Sequence, residues 1–527
     1  MIHLKKILRT GFEYMEDVFD AAFGPAWNPF YQLGALGWFY YWIVISSGIY
    51  LYIFFDTGIT DAYLSVEYLT HEQWYAGGVM RSLHRYASDA LVIMMLMHLL
   101  REFAMDRFRS SRWFAWFTGI PMLWFVFSAG ITGYWMVWDR LAQYIAIVTT
   151  GWLDTLPFFG ESIARNFLSN ADLSGRFFTL MVFLHIALPL LLLFIMWIHI
   201  HRHTQPKVNP PLGLAAGTLV MLLVVSLVKP AVSHAPADLG IVPAVIGLDW
   251  FYLPIYPLLD RYPGEAMWMV LGVITLLLLL LPWLPSGKQQ AVAVIDLDNC
   301  NGCGRCVADC PFSAISLGPR SDNTGYEQEA VVDNRHCTSC GICVGACPTA
   351  TPFRRRSGLT AGIELPELQI SEVRDKTLAA TGKLGGNDRI LVFGCQHSMD
   401  LSALEDSRTG VVSMPCIGML PPSFLDFVLS KNLADGVFLT GCRDGDCYFR
   451  LGIRWTDARI CGERDPELRQ RVPQQRIRTY WGGLTRSKQF LRELDAFRNG
   501  LNALATCNQN VPEPGQEGNG HKDIGNA

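Results

Sequence analysis

The chain has 527 residues, of which 50% are hydrophobic and only 17% are charged, a composition too apolar for an ordinary soluble protein. The formal net charge is -4 and no basic stripe is present, so nucleic acid is not an expected partner. All 14 cysteines lie after residue 299, in spacings typical of metal ligands and not of a secreted disulfide framework. We therefore expect a membrane part followed by a reduced, cytosolic part.

Six apolar stretches are predicted to cross a bilayer as helices, at 33–55, 79–102, 114–138, 177–200, 213–230 and 265–284. Lysine and arginine are concentrated in the N-terminal tail and in the connections after the second and fourth stretches, whereas the first connection, 56–78, contains neither. The positive-inside rule then places both ends of the membrane part in the cytoplasm. We expect a multi-pass protein of a bacterial-type inner membrane with a cytoplasmic N-terminus and a cytoplasmic second half.

The second and fourth stretches each carry two histidines fourteen residues apart, which are His84 and His98 on one and His185 and His199 on the other. Fourteen residues make nearly four helical turns, so each pair lies on one helix face about 21 Å apart along the axis. Because both helices run in the same direction, His84 and His185 share the outer depth, and His98 and His199 share the inner depth. This predicts two bis-histidine haem sites. The alternative is that the histidines are core or proton-relay residues.

Four glycines repeat the spacing of fourteen, Gly34 and Gly48 on the first helix and Gly119 and Gly133 on the third. A position without a side chain lets a flat ligand approach the backbone. We therefore expect Gly34 and Gly119 beside the inner haem, and Gly48 and Gly133 beside the outer haem. Small-residue packing between helices is the alternative.

Two arginines lie three residues from a predicted haem ligand and near a membrane face. Arg81 precedes His84, and Arg101 follows His98. A guanidinium at this position is placed to pair with the propionate groups of a haem, so both arginines are candidate cofactor-binding residues.

Residues 25–284 resemble the cytochrome b of the cytochrome bc and b6f complexes. The matching strings are 77–101 (GGVMRSLHRYASDALVIMMLMHLLR), 130–144 (GITGYWMVWDRLAQY) and the four histidines. The resemblance implies an all-α bundle of six transmembrane helices that holds two haem b groups on the ligand pairs given above. It also implies contact with membrane lipid and quinone, and a homodimer formed through this part.

The quinone sites of that family are altered in this chain. The outer quinol-site motif, proline-glutamate-tryptophan-tyrosine, appears as 248–251 (LDWF), which makes Asp249 the candidate catalytic acid. A lysine-aspartate pair of the inner site is absent near Asn209, and His201 is the candidate residue there, with a solvated loop histidine as the alternative. The membrane half contains no cysteine, so a covalently attached extra haem is not expected.

Two cysteine runs, at 300–310 and 337–347, follow the pattern C-x2-C-x2-C-x3-C-Pro. At these spacings three thiolates and the fourth thiolate of the other run hold each 4Fe-4S cluster. One predicted ligand set is Cys300, Cys303, Cys306 and Cys347, and the other is Cys337, Cys340, Cys343 and Cys310. Zinc is the alternative, but the three-cysteine run and the trailing proline argue against it. Residues 291–355 resemble a bacterial two-cluster ferredoxin, which implies a ferredoxin-like α+β domain.

From about residue 389 apolar strand-like runs end directly before cysteines, which predicts a small α/β domain with metal ligands at the carboxyl ends of its strands. The candidate ligands of a 2Fe-2S cluster are Cys395, Cys416, Cys442 and Cys447, with zinc or a redox-active thiol pair as the alternative. The strings 414–418 (MPCIG) and 434–448 (ADGVFLTGCRDGDCY) resemble the delta subunit of methyl-viologen-reducing hydrogenase. That family carries a 2Fe-2S cluster and passes electrons between a flavin or hydrogenase partner and a heterodisulfide-reductase-type subunit.

The predicted domains are therefore a six-helix cytochrome b bundle (1–284), a ferredoxin-like domain (285–360), a small α/β iron-sulfur domain (385–500) and a disordered tail (508–527). No nucleotide-binding glycine loop is visible, so a cytoplasmic flavoprotein or dehydrogenase subunit is the expected electron donor. The predicted function is that of an electron-transfer subunit of a membrane quinone oxidoreductase, in which catalysis needs partner subunits. One alternative is the reverse flow, from quinol to a low-potential cytoplasmic acceptor, and the other is a redox sensor or assembly scaffold.

Overall fold

The computed structural model describes residues 2–157, 175–201, 206–241, 245–284, 291–322, 325–354, 359–386, 388–483 and 486–501. The chain divides into two compact units, Met1–Lys288 and Gln289–Ala527. The predicted tail, 508–527, lies outside the described residues, and the predicted domain boundaries stay predictions.

The first unit is built from helices. In chain order its described helices are α1 (Ile2–Phe23), α2 (Leu33–Ile53), α3 (Asp61–His71), α4 (Val79–Ala104), α5 (Trp113–Val137), α6 (Arg140–Leu153), α7 (Gly175–Ile200), α8 (Leu212–Val228), α9 (Tyr256–Leu259) and α10 (Gly264–Leu280). A helix therefore lies over each of the six apolar stretches, namely α2, α4, α5, α7, α8 and α10.

Length and composition identify the helices suited to a membrane. In the described part of the chain, four segments are long and apolar enough to cross one, Pro29–Ile53, Trp113–Val137, Phe177–Ile200 and Gly264–Trp283. Helix α8 is apolar but shorter, and α4 is 26 residues long but carries Arg81, Arg85 and Asp89. Leu190 and Phe194 of α7 are exposed, as expected of a helix that faces lipid. The helical, membrane-type first part is confirmed, whereas the count of six spans stays a prediction.

The helices that carry the histidines pack against the helices that carry the glycines. Helix α4 lies along α2, and α7 lies along α5. Small residues on α2 and α5 allow such close approach. Leu91 and Val92 of α4 and Leu36 of α2 are buried in the shared core of the unit. The packing therefore brings each predicted ligand close to a neighbouring helix backbone.

The second unit begins with two small antiparallel sheets and two short helices. Strand β1 (Val294–Ile295) pairs with β4 (Ile363–Glu364), and β2 (Ile315–Pro319) pairs with β3 (Gln328–Val332). The short helices α11 (Arg305–Asp309) and α12 (Ile342–Ala346) each begin between the second and third cysteines of a run. This arrangement is of the α+β type that the ferredoxin-like segment predicts.

A parallel four-stranded sheet forms the rest of the second unit, in the strand order β6-β5-β7-β8. Its strands are β5 (Ile390–Cys395), β6 (Thr409–Met414), β7 (Gly436–Gly441) and β8 (Ile477–Trp481), and the described helices are α13 (Ile370–Gly382), α14 (Ser423–Ser430), α15 (Gly452–Ile460) and α16 (Ser487–Asn499). Every residue of β5 and β7 is buried, which explains their continuous apolar runs. The α/β character predicted for this region is confirmed.

The order of strands and loops positions a group of cysteines. Strand β5 ends in Cys395, Cys416 lies two residues after β6, and Cys442 lies one residue after β7. The carboxyl ends of parallel strands meet at one edge of a sheet, so these thiols come together. One hydrophobic core runs from Ala293 of the ferredoxin-like segment to Trp481 of β8.

Candidate functional site

The outer histidine pair, His84 on α4 and His185 on α7, comes together in the core of the first unit. The centroids of the two imidazole rings are 6.2 Å apart and the ring planes are inclined by 63°. Two metal–imidazole bonds of about 2 Å each, plus the radius of each ring, require a centroid separation of roughly 6 Å. The outer pair therefore fits an iron held between the two rings.

Hydrogen bonds fix the ring orientation in the outer pair. His84 Nδ1 donates to the carbonyl oxygen of Val44 at 2.9 Å and lies 3.2 Å from the Ser47 hydroxyl. His185 Nδ1 donates to the carbonyl oxygen of Ala129 at 2.9 Å and lies 3.3 Å from the Thr132 hydroxyl. When Nδ1 carries the proton, Nε2 presents its lone pair, which is the arrangement a metal ligand needs.

The inner pair, His98 and His199, is similar but not identical. His199 Nδ1 lies 3.0 Å from the Thr118 hydroxyl. The position that corresponds to Ser47, fourteen residues earlier, is Leu33, which has no hydroxyl. A hydroxyl group therefore lies beside His199, whereas the equivalent position of α2, on the side of His98, is the apolar Leu33.

Sequence reasoning missed these hydroxyl groups, although a signal for them exists. Ser47, Thr118 and Thr132 each immediately precede one of the four glycines, and the two threonines are themselves fourteen residues apart. The dipeptides Ser-Gly and Thr-Gly at this spacing would have indicated a hydroxyl beside each of three histidines.

Each of the four glycines lies against a different histidine. A Cβ atom added to the glycine would lie 3.6 Å from His98 Cε1 at Gly34, 3.0 Å from His84 Cε1 at Gly48, 3.7 Å from His199 Cε1 at Gly119 and 2.8 Å from His185 Cε1 at Gly133. Gly34 and Gly119 thus contact the inner pair, and Gly48 and Gly133 contact the outer pair. At the outer pair an alanine would force the imidazole to move. A haem-binding role for the glycines stays a prediction.

The two candidate propionate partners already have protein partners. Arg81 contacts Glu67 and Thr70, and its Nη2 donates to the Ser233 hydroxyl at 2.7 Å. Arg101 forms an ion pair with Glu16 at 2.8 Å in which both side chains are buried, at 4% and 1% exposed. Pairing of either guanidinium with a propionate stays a prediction.

The candidate catalytic acid, Asp249, lies in a network of polar side chains. Its Oδ2 accepts from Arg85 Nη2 at 2.6 Å and from the Tyr134 hydroxyl, and its Oδ1 accepts from the backbone nitrogen of Phe251 at 2.7 Å. The other candidate, His201, is exposed directly after α7, with its ring centroid 4.7 Å from that of Trp197. The structure therefore places Asp249 in a partly buried ionic network and His201 on the surface of the unit.

In the second unit, the first thiol set gathers around Cys306. Burial, together with the neighbouring thiols of Cys347, Cys303 and Cys300, raises the pKa of Cys306 to about 12. Gly304, between the second and third cysteines, has φ +72°, a left-handed conformation that glycine adopts without strain and that turns the loop back on itself. The cysteine from the other run, Cys347, is thus close to the three from this run.

The second thiol set gathers around Cys343. Burial raises the pKa of Cys343 well above its usual value, and the thiols that raise it further are those of Cys340, Cys310, Cys337 and Cys306. Three of these belong to the predicted set, and Cys306 belongs to the first set. Because a bound iron favours the thiolate form, these two groups of neighbouring thiols fit two adjacent clusters.

The third thiol set lies at the carboxyl edge of the parallel sheet. The Sγ atoms of Cys395 and Cys442 are 3.9 Å apart. The hydrogen bond that the Cys416 thiol donates to Cys447, together with burial, raises the pKa of Cys416 well above its usual value. A Cβ atom added to Gly452 would lie 2.2 Å from Cys416 Sγ, so the chain approaches this set closely. Across the described ranges, no three His, Cys, Asp or Glu side chains are arranged to hold a single metal ion.

Comparisons with known proteins match three successive segments of the chain. Residues 18–205 match the family model described as cytochrome b/b6/petB, residues 299–351 match the 4Fe-4S dicluster domain, and residues 390–505 match the delta subunit of methyl-viologen-reducing hydrogenase. The cytochrome b6 of Porphyra purpurea is 28% identical over 201 residues, which are 37% of this chain and 92% of that protein.

Among solved structures, a chain titled "Hyperthermophilic respiratory Complex III" is 20% identical, with 49% of this chain and 76% of that chain covered and a TM-score of 0.41. The cytochrome b match implies haem b, and the dicluster match implies 4Fe-4S clusters. The resemblances expected from the motifs are confirmed. The chain is a multi-pass membrane electron-transfer protein whose successive parts are similar to cytochrome b, to a 4Fe-4S dicluster domain and to the delta subunit of methyl-viologen-reducing hydrogenase.

Proposed function

We propose that this chain is the membrane subunit of a quinone oxidoreductase and carries electrons between a cytoplasmic donor and membrane quinone. In this proposal the first and second thiol sets each hold a 4Fe-4S cluster, and the third set holds a 2Fe-2S cluster. The inner and outer histidine pairs each hold one haem b. A flavoprotein or dehydrogenase subunit supplies the electrons, because the chain has no nucleotide-binding glycine loop.

The observation that carries the proposal is the geometry of the outer pair. Two half-buried imidazoles on different helices lie with their ring centroids 6.2 Å apart, and each Nδ1 is held by a backbone carbonyl. A core or proton-relay histidine does not need this arrangement, whereas a histidine that would hold haem iron does. The same fourteen-residue offset generates the inner pair, which supports a second haem at the other depth.

The arrangement of thiols supports the cytoplasmic half of the route. Haem iron and iron-sulfur clusters, when bound, each accept and release single electrons. The chain supplies ligands and a buried surrounding that excludes water from most of the thiols, such as Cys306, Cys343 and Cys416. Low exposure and sulfur hydrogen bonds, such as that from the backbone nitrogen of Ala314 to Cys310 Sγ at 3.3 Å, are the features by which proteins adjust cluster potentials.

Quinone chemistry also requires protons, and Asp249 is the residue we propose for this role. Reduction of a quinone consumes two electrons and two protons, and oxidation of a quinol releases them. The Asp249 carboxylate, held by Arg85 and by the Tyr134 hydroxyl, offers a proton-accepting group. Arg85 directly follows His84 in the sequence, so this group is linked to the outer pair. His201 is the proposed residue for the inner side, where it is exposed at the end of α7.

The orientation is proposed from charge. Lysines and arginines of the N-terminal tail and of the connections after α4 and α7 support a cytoplasmic location for these segments and for the iron-sulfur part. We further propose a bacterial-type inner membrane as the location and a homodimer formed through the first unit, as the resemblance to cytochrome b implies.

A quinone titration tests the proposal. The full chain, purified in detergent and reduced with dithionite, is mixed with a soluble quinone analogue while the haem absorbance is followed. We expect both b haems to reoxidise at a rate that saturates with quinone concentration, because the quinone binds before it reacts. A rate that rises linearly without saturation, or haems that do not react, would contradict a quinone site in this chain.

A further inference from the structure

Helix α15 connects the third thiol set with the segment that precedes Cys310. At its first residue, Gly452, the backbone lies against Cys416 Sγ. One turn later, Trp455 Nε1 donates to the carbonyl oxygen of Asp309 at 3.3 Å. Asp309 immediately precedes Cys310, a member of the second thiol set. The helix therefore contacts Cys416 of the third set and the residue that precedes Cys310 of the second set.

The side chain of Arg459, near the end of α15, occupies the space between the two sets. It is 1% exposed. Its Nη1 donates to the carbonyl oxygen of Gly418 at 2.9 Å, and its Nη2 pairs with the Asp309 carboxylate. Gly418 follows Cys416 by two residues, so one guanidinium holds the loop of the third set and the loop of the second set together.

The neighbours of the thiols give an order for the three sets. A Cβ atom added to Gly341, in the second cysteine run, would lie 2.8 Å from Met419, in the loop of the third set. A Cβ atom added to Gly345, in the same run, would lie 2.1 Å from the carbonyl oxygen of Gly418, in that same loop. The first and second sets adjoin because each takes one cysteine, Cys347 or Cys310, from the run of the other. The second set therefore lies between the other two.

The charge at this junction is positive. Asp309 accepts from Arg459 and also from Arg464, whose Nε lies 2.7 Å from the Asp309 Oδ1. Two guanidinium groups on one carboxylate leave one positive charge. Arg464 is 25% exposed, whereas Arg459 is 1% exposed, so water and salt screen the charge of Arg464 more strongly. A cluster held by four thiolates is anionic, and a nearby unscreened cation stabilises its reduced, more negative form.

We propose that Arg459 is a positioning residue that makes the second 4Fe-4S cluster the direct electron-transfer partner of the 2Fe-2S centre and raises the reduction potential of the second cluster. The inference rests on the proposed function. In the step, one electron leaves the reduced 2Fe-2S centre and enters the oxidised second 4Fe-4S cluster, and no bond or proton is exchanged. From there the electron passes to the first 4Fe-4S cluster.

The test is a redox titration of the full chain followed by electron paramagnetic resonance, with the first 4Fe-4S cluster as internal reference. In Arg459→Gln, Asp309 keeps Arg464 as its partner, so no carboxylate is left unpaired. We expect the equilibrium between the two 4Fe-4S clusters to shift at least tenfold towards the first cluster, which is 59 mV for one electron. Arg459→Lys keeps the charge and should therefore show little of this shift.

Arg464→Gln is the matched control, because it removes an equally close but exposed cation from the same carboxylate. We expect it to shift the equilibrium less than threefold. Unchanged relative potentials in Arg459→Gln, at full iron content, would overturn the inference and leave the proposed function intact, whereas a wild-type chain without cluster signals would refute the proposed function itself.

A second readout needs no variant. In the wild-type chain, the signal of the reduced 2Fe-2S centre should broaden or split when the second 4Fe-4S cluster is reduced, because the two spins are close. A 2Fe-2S signal that responds only to the first 4Fe-4S cluster would overturn the proposed order.

Discussion

The two units place their metal ligands by different means. In the first unit two long helices each carry two histidines fourteen residues apart, and the helical rise fixes the depth of each histidine. In the second unit most candidate ligands lie close together in short loops. The remaining ligand of each 4Fe-4S set comes from the other cysteine run, and the ligands of the third set come from the ends of different strands. The spacing of residues along a helix therefore predicts which histidines pair. The third thiol set depends on the strand order β6-β5-β7-β8, which the spacing of the cysteines in the sequence does not specify.

The largest expected effect separates the two depths of the first unit. His98→Ala or His199→Ala should each remove the inner haem and leave the outer one, because one imidazole cannot hold an iron between two helices. His84→Ala and His185→Ala should give indistinguishable spectra that lack the outer haem. A pyridine haemochrome assay measures the haem content of each variant, and two haems per chain in any of them would refute the pairing.

The second unit is tested by its metal content. We expect about ten non-haem irons per chain, from two 4Fe-4S clusters and one 2Fe-2S cluster. Cys416→Ser should lower the count by about two irons, because it removes a ligand of the third set only. Iron and zinc are measured together by elemental analysis. Eight irons with one zinc in the wild-type chain would mean that the third set is a zinc site.

A smaller effect distinguishes the outer pair from the inner pair. In Gly133→Ala the new Cβ would lie 2.8 Å from His185 Cε1, so the imidazole must move, at a cost of about 1–3 kcal/mol typical of overpacking. In the matched variant Gly34→Ala the nearest ring atom is 3.6 Å away, an ordinary contact. We expect a loss of outer-haem occupancy in Gly133→Ala only. Equal haem content in both variants would show that the glycines serve helix packing.

The smallest expected effect concerns the hydroxyl beside His185. Thr132→Val keeps the side-chain shape and the Nδ1 bond to the Ala129 carbonyl oxygen, but removes one acceptor at 3.3 Å. A hydrogen bond of about 1 kcal/mol corresponds to a potential change of at most about 40 mV for one electron. The outer haem should become easier to reduce, because its ligand becomes less basic. A spectroelectrochemical titration in which only the inner haem changes would contradict this account.

The sequence predicted the helical, membrane-type first part and the 4Fe-4S dicluster segment because their signals are local or periodic. It did not predict the partners of Arg101 and Asp249. The Glu16–Arg101 pair joins α1 to the end of α4, and the Arg85–Asp249 bond joins residues 164 positions apart. Such contacts depend on how helices pack, which hydrophobic periodicity does not specify.

The contact of Arg459 with Asp309 could not be predicted from the sequence for the same reason. Arg459 and Asp309 are 150 residues apart, and nothing in either local string indicates a partner. The α/β prediction placed the third thiol set at a sheet edge, but its position beside the second set follows only from the shared core of the second unit.

The measurement that tests the central claim most directly compares two routes of haem reduction in one variant. Cys442→Ser removes a ligand of the proposed 2Fe-2S centre, and the variant must first be shown to fold and to keep both haems, because loss of a metal ligand can unfold a small domain. We predict that the cytoplasmic donor no longer reduces the haems of this variant, whereas a quinol still does. Haem reduction by the donor at the wild-type rate would contradict the account, because electrons would then enter at the 4Fe-4S clusters without the third centre.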